Sequence, residues 1–83
     1  MIKVFYWDYF GPNAQGTASH FKRHLDDFLE THNLEGCVTG ETTHAEGHWC
    51  TFCAAPETAH DTLTQVLRPR REASLEEHEK VLI

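Results

Sequence analysis

A nearly unbroken run of aromatic and β-branched residues from Ile2 to Phe10 constrains the fold of this chain more than any other feature. It contains five of the nine aromatic residues in the sequence, and Asp8 interrupts it near its end. Such side chains favour strands. Because apolar residues occupy both alternating sets of positions, the strand needs cover on both faces, and we expect it to lie centrally in its sheet.

The segment after this strand predicts a loop and then a helix. The loop spans residues 11–16, and Thr17 or Ser19 is the candidate N-cap of the helix. An apolar stripe at helical spacing follows, made of Phe21, Leu25, Phe28, Leu29 and His32. We expect the helix to end near Asn33, because asparagine tolerates left-handed backbone geometry.

A β-hairpin and a second helix come next. Gly36–Thr43 and His48–Ala55 predict the two strands of the hairpin. A helix is expected over Pro56–Leu67, with the proline in its first turn. The last ten residues fit two alternatives. The capping-box pattern Ser74-Leu-Glu-Glu77 predicts a short helix, whereas Lys80–Ile83 is compatible with an edge strand.

This order, β-α-β-β-α with an ambiguous tail, predicts one small α+β domain over residues 1–83. A right-handed crossover places both helices on one face of the sheet, which gives a two-layer sandwich. If the tail supplies an edge strand, the order resembles a ferredoxin-like plait, and otherwise it is a truncated variant of one. That resemblance concerns architecture alone, because folds of this kind carry many functions.

The pattern of the hairpin predicts which residues share a face of the sheet. A three-residue turn over residues 45–47 places His44 opposite His48. One face then carries Val38, Gly40, Cys50, Phe52 and Ala54, and the other carries Glu41, Trp49, Thr51 and Cys53. Because Phe52 is a bulky apolar side chain, we expect the first set to face the core.

His44, His48 and Cys50 lie together at the tip of the hairpin in this register. Opposed residues in a hairpin have Cβ atoms about 4.5–5.5 Å apart. Imidazole and thiolate groups at that spacing can bind zinc or another transition metal. Alternatively, Cys50 is a small core residue and the histidines flank a solvated turn. The spacing of Cys50 and Cys53 predicts no redox or zinc motif, since in a strand the two thiols point to opposite faces.

The loop after the first strand is a candidate edge for binding an anion or small ligand. Its residues are Asp8, Gly11, Gly16, Thr17 and His20. A helix N-terminus attracts anions. The lysine of a phosphate-binding Walker loop is missing, so nucleotide hydrolysis is not expected. The alternative is a structural loop whose glycines adopt left-handed angles.

Two further surfaces are candidates for protein contacts. Arg68, Arg70 and Arg71 form a cluster that can dock an acidic partner, or can simply pair with the glutamates that follow. Trp7, Tyr9 and Trp49 are expected on an open sheet face, where a second copy of the chain can pack.

The remaining histidines give weaker signals. His20 and His24 are spaced i, i+4 on the first helix, which favours a solvated rim over a weak metal site. His60 and His78 are expected at ordinary surface positions.

Composition limits the classes of function. The net charge is −6 with neutral histidines. An acidic chain is a poor nucleic-acid binder, and no apolar run approaches the ~18–20 residues of a membrane span, so we expect neither partner. The N-terminal segment lacks the pattern of a signal peptide and the cysteine count of three is odd. Both observations predict a cytoplasmic protein without a disulfide framework.

No hydrolytic constellation stands out in the sequence. The leading hypothesis is therefore a non-enzymatic binding module that forms a homodimer, without a cofactor. Two alternatives stay open. One is a metal- or pH-responsive module at the hairpin tip, and the other is a small enzyme acting on a ligand near the first strand and helix.

Overall fold

The computed structural model describes the backbone of residues 2–82 and the side chains of these residues except 44 and 79–82. Its elements are β1 (Lys3–Phe10), α1 (Ala14–Thr31), β2 (Val38–Ala45), β3 (His48–Ala55), α2 (Glu57–Thr62), β4 (Arg71–Ser74) and α3 (Leu75–Leu82). A π-helical turn, Leu63–Leu67, extends α2.

The four strands form one open antiparallel sheet in the order β2-β3-β1-β4. With its three helices, the chain is a small α+β fold. The strand β1 lies between β3 and β4, so the prediction of a central first strand is confirmed. Its apolar side chains are covered on both faces, since Val4, Phe5, Tyr6 and Trp7 are all buried.

The tail forms both a strand and a helix. Arg71–Ser74 pairs with β1, and Ser74 then begins α3. The hydroxyl oxygen of Ser74 accepts the backbone N–H of Glu77 at 3.2 Å, which confirms the predicted cap. The alternative edge strand at Lys80–Ile83 is wrong, because residues 80–82 are helical and residue 83 lies outside the described part. Instead, the strand Arg71–Ser74, which comes directly before α3, pairs with the free edge of β1.

The ends of α1 and α2 agree with the sequence in part. Asn33 has a φ of 53° just after α1, and Arg68 has a φ of 48° just after the π-helical turn. Both helical segments therefore end where expected. The predicted N-cap at Thr17 or Ser19 is wrong, because α1 begins at Ala14. The Thr17 hydroxyl donates to the backbone oxygen of Asn13 from within the helix.

The hairpin register is confirmed along most of its length. Val38 lies opposite Ala54, Gly40 opposite Phe52 and Thr42 opposite Cys50. At the tip, His48 pairs with Ala45 instead of His44, and the register shifts between residues 43 and 45. The turn has two residues, ending at Gly47 with a φ of 76°. The extra residue of the strand is absorbed as a bulge, so the predicted opposition of two histidines is wrong.

The prediction of which sheet face carries α1 and α2 is also wrong. These helices pack on the face that includes Phe5, Trp7, Cys53 and Ala55, which we call the helix face. Small side chains let α1 approach closely, and the Thr51 hydroxyl donates to the backbone oxygen of Ala18 at 2.6 Å. The bulk of this layer comes from the helices and β1 rather than from the hairpin.

The opposite face carries a second, smaller cluster. Val4, Tyr6 and Cys50 are buried there, and Phe52, Ala54 and Ala73 pack against them. We call it the α3 face, because His78 of α3 lies against Tyr6 and Phe52. Cys50, Phe52 and Ala54, which the sequence predicts in the main core, therefore belong to this second layer, whereas Val38 is exposed.

Candidate functional site

Asp8 is the centre of a polar network on the α3 face. Its carboxylate accepts two hydrogen bonds from Arg71, at 2.8 Å from Nε and 2.7 Å from Nη2. Nε2 of His48 lies 2.9 Å from the oxygen Oδ1 of the same carboxylate. The three side chains come from β1, β4 and β3, so the network spans three neighbouring strands.

The electrostatics of Asp8 favour a permanent carboxylate. The side chain is only 10% exposed. The Arg71 hydrogen bonds hold the pKa of Asp8 below its usual range and outweigh the opposing effect of burial, with a further contribution from His48. The same pairing raises the pKa of Arg71. A general base that works near neutral pH needs a pKa close to that pH, so this arrangement suits a structural clamp between strands.

Aromatic rings flank the network at both ends. The Arg71 guanidinium carbon lies 4.5 Å from the centroid of the Tyr6 ring, a cation–π contact. His48 stacks on Phe10, with ring centroids 4.5 Å apart and planes inclined by 14°. Phe10 itself is 75% exposed, so this end of the network reaches the surface.

Tyr6 links the network to α3. Its hydroxyl lies 2.6 Å from Nδ1 of His78, and this pair is buried. The His78 ring also packs against Phe52, with centroids 4.4 Å apart. His78 is 4% exposed, so its predicted position at the surface is wrong. The sequence pattern missed this residue because burial of a short amphipathic helix depends on where it docks.

An apolar groove lies beside His78, between α3 and the edge of the sheet at β2. It has a volume of about 380 Å³. Its lining residues are Ile2, Gly36, Val38, Phe52, Ala54, Leu75 and His78. Val38 is 64% exposed. Apolar side chains line most of the groove, and no Asp, Glu, Lys or Arg of the described part lines it.

The structure places the three predicted metal ligands in different environments. His48 is engaged by Asp8, as described above. Cys50 is fully buried, and burial raises the pKa of its thiol to about 11. The side chain of His44 lies outside the described residues. Within the described part, no three His, Cys, Asp or Glu side chains are close enough to hold a metal together. Zinc binding at the hairpin tip stays a prediction.

The predicted ligand edge is divided between two sides of the sheet. Asp8 projects from the α3 face, whereas Gly16, Thr17 and His20 belong to α1 on the helix face. Gly11 has a φ of 101°, and its N–H donates to the backbone oxygen of Gly47 at 2.9 Å. Gly11 therefore fits the structural alternative of a glycine in left-handed geometry, whereas Gly16 lies in α1 without a positive φ.

The predicted interface residues lie on the helix face rather than on an open one. Trp7 is 5% exposed, and its indole N–H donates to the backbone oxygen of Leu67 at 2.9 Å. The rings of Trp7 and Tyr9 both pack against Phe21 of α1. Trp49 lies partly buried beside the loop after β1. The expectation that these rings line an open face is therefore wrong for Trp7 and Tyr9, because Phe21 of α1 packs on them.

The predicted arginine cluster also separates. Only Arg71 joins the Asp8 network. Arg68 follows the π-helical turn in left-handed geometry, and Arg70 bonds through its backbone N–H to the oxygen of Tyr6. The network thus combines one residue from each of three predicted sites: Asp8, His48 and Arg71. Tyr6 and Asp8 are two residues apart on β1, so the alternation of side chains places them on the same face of the sheet. This was the available sequence signal for including Tyr6 in the site.

The cysteines are all free thiols. Cys50 and Cys53 belong to clusters on opposite faces, as the alternation along the strand predicts. Burial raises the pKa of Cys53 to about 12, and the neighbouring Cys37 contributes.

Comparisons of the chain with protein-family models, with curated proteins and with solved structures gave no match. Among the described residues, no helix combines the length and the apolar character that crossing a membrane requires.

Proposed function

We propose that this protein is a non-enzymatic binding module that forms a homodimer through the α3 face. The observation that carries the proposal is the apolar groove between α3 and β2. The proposal keeps the homodimer expected from the sequence but moves the interface to the other side of the sheet.

Three properties of the groove favour a second copy of the chain as its occupant. Val38, Ile2 and Leu75 are 64%, 42% and 37% exposed, so they gain burial on association. The described lining residues include no charged side chain, so two copies of an acidic chain can meet there without opposing like charges. The groove also reaches β2, an edge strand whose free backbone groups can pair with another strand.

The Asp8 network supports a binding role rather than a catalytic one. Its carboxylate is paired with Arg71 and His48, and its pKa is lowered rather than adjusted toward neutral pH. We also propose that the architecture is a ferredoxin-like plait with α3 added, which the strand order β2-β3-β1-β4 supports. The free thiols favour a reducing, cytoplasmic setting.

Light scattering coupled to size exclusion tests the homodimer with two matched variants. Val38 and Val66 are both exposed, at 64% and 58%, but only Val38 lines the groove. Lysine at an apolar interface must be desolvated, so Val38→Lys is expected to yield a monomer. Val66→Lys is expected to remain dimeric like the unmodified chain. A monomeric unmodified chain at high micromolar concentration, or a dimeric Val38→Lys variant, contradicts the proposal.

A further inference from the structure

The imidazole rings of His20 and His24 meet on the exposed side of α1. Their Nε2 atoms share a 3.0 Å hydrogen bond, in which one ring N–H donates to the nitrogen of the other, and the ring centroids are 4.5 Å apart. Both residues are exposed. They lie on the same side of the helix because residues four apart are neighbours on a helix surface.

This separation matches the requirement for binding one metal ion through both nitrogens. Histidine nitrogens bond to transition metals at about 2.0–2.1 Å. Two such bonds at a right angle bring the nitrogens to about 2.9 Å, whereas a tetrahedral angle requires about 3.4 Å. In the protein this 3.0 Å separation is a hydrogen bond between the rings, so a metal takes the place of the shared proton, and small shifts of the exposed rings reach either spacing. Right-angled nitrogen ligands are typical of Ni(II) and Cu(II) sites.

The fold keeps the pair in place without using it elsewhere. Leu25 is buried and Phe21 packs on Trp7, so this part of α1 is fixed to the sheet. The adjacent Lys22 is directed to Asp26, with which it forms a 3.0 Å ion pair. Neither nitrogen of the pair therefore has to be released from the core before a metal binds.

We propose that His20 and His24 form a two-histidine chelate for a divalent late transition metal of the nickel or copper type. Water supplies the other ligands, since no third histidine, cysteine or carboxylate of the described residues is close enough. The site is separate from the hairpin tip and from the proposed dimer surface on the α3 face.

Calorimetric titration of the untagged protein with Ni²⁺ tests the site. We choose Ni²⁺ rather than Cu²⁺ as the titrant, because Ni²⁺ does not oxidise the free thiols. The second nitrogen binds as an intramolecular event, so His20→Ala and His24→Ala are each expected to weaken affinity about 10- to 100-fold. Alanine favours helix at exposed positions, and circular dichroism checks that both variants fold.

Two control variants make the result specific. His32→Ala removes the histidine that directly follows α1, and His48→Ala removes one histidine of the hairpin tip. His32→Ala is expected to bind Ni²⁺ like the unmodified chain, and His48→Ala separates any binding at the hairpin tip from binding at this pair. The proposal is overturned if the unmodified chain does not bind Ni²⁺, if the His20 and His24 variants bind unchanged, or if only His48→Ala loses binding.

Discussion

The hydroxyl of Tyr6 and Nδ1 of His78 share a 2.6 Å hydrogen bond beneath α3, between residues 72 positions apart in the chain. Tyr6 lies in the central strand, and His78 is the only described histidine that is classed as buried. This bond attaches the last helix to the sheet.

We expect Tyr6→Phe to weaken the attachment of α3. The ring and its contact with Arg71 remain, but the buried hydrogen bond between the Tyr6 hydroxyl and Nδ1 of His78 is lost, at a cost of about 1–3 kcal/mol. Urea unfolding gives the free energy, and amide exchange over residues 75–82 shows whether the helix opens locally. Tyr9→Phe is the control, because no hydrogen bond of the Tyr9 hydroxyl is found among the described residues. Equal stability of the two variants would contradict the assigned role of Tyr6.

The Asp8 clamp gives a prediction about pH. Asp8→Asn is expected to destabilise the fold by about 1–3 kcal/mol at neutral pH, a range that allows for the partial exposure of Arg71. The folded pKa of Asp8 is lowered, so its contribution is present above the unfolded value of about 3.9 and is lost as pH falls through the folded value. The stability difference between the two proteins should therefore shrink below about pH 4.

Urea unfolding at several pH values measures this difference directly. Asp27→Asn changes an exposed carboxylate on α1 and is expected to alter stability by less than about 0.5 kcal/mol. A difference between Asp8→Asn and the unmodified chain that does not depend on pH would argue against the ion pair as the cause.

Two glycine substitutions are expected to have opposite effects. A Cβ atom at Gly40 would lie 2.5 Å from the ring of Phe52, so Gly40→Ala must displace that ring and is expected to cost about 1–2 kcal/mol. A Cβ atom at Gly16 meets nothing within 4 Å, so Gly16→Ala in α1 should stabilise by about 0.5–1 kcal/mol. Thermal unfolding decides both signs, and a stabilising Gly40→Ala would show that the ring moves at no cost.

The cysteines are expected to react in order of burial. Cys37 is partly exposed, whereas Cys50 and Cys53 are fully buried with pKa values raised to about 11 and about 12. Burial also raises the pKa of Cys37, but its side chain is partly exposed, so a thiol reagent at neutral pH should modify this group first in the native protein and all three after unfolding. Cys37→Ser should abolish the fast phase. Rapid modification that survives this substitution would contradict the described burial.

The sequence predicts the local elements well wherever one pattern dominates. The run from Ile2 to Phe10 is a central strand, the capping pattern at Ser74 begins a helix, and the ladder from Val38 to Thr42 keeps its register. Each of these outcomes depends on neighbouring residues, through strand propensity, a cap or the alternation of side chains.

Tertiary structure decides which face becomes the core and which predicted residues meet. Alternation along the hairpin correctly places Phe52 and Thr51 on opposite faces of the sheet. Which face becomes the core depends on where α1 can pack, and the small side chains on the Thr51 side allow the helix to pack there. Asp8, His48 and Arg71 come from three distant segments, and only the order of the strands brings them together. Local pattern thus determined the elements, whereas packing volume and strand order determined the site.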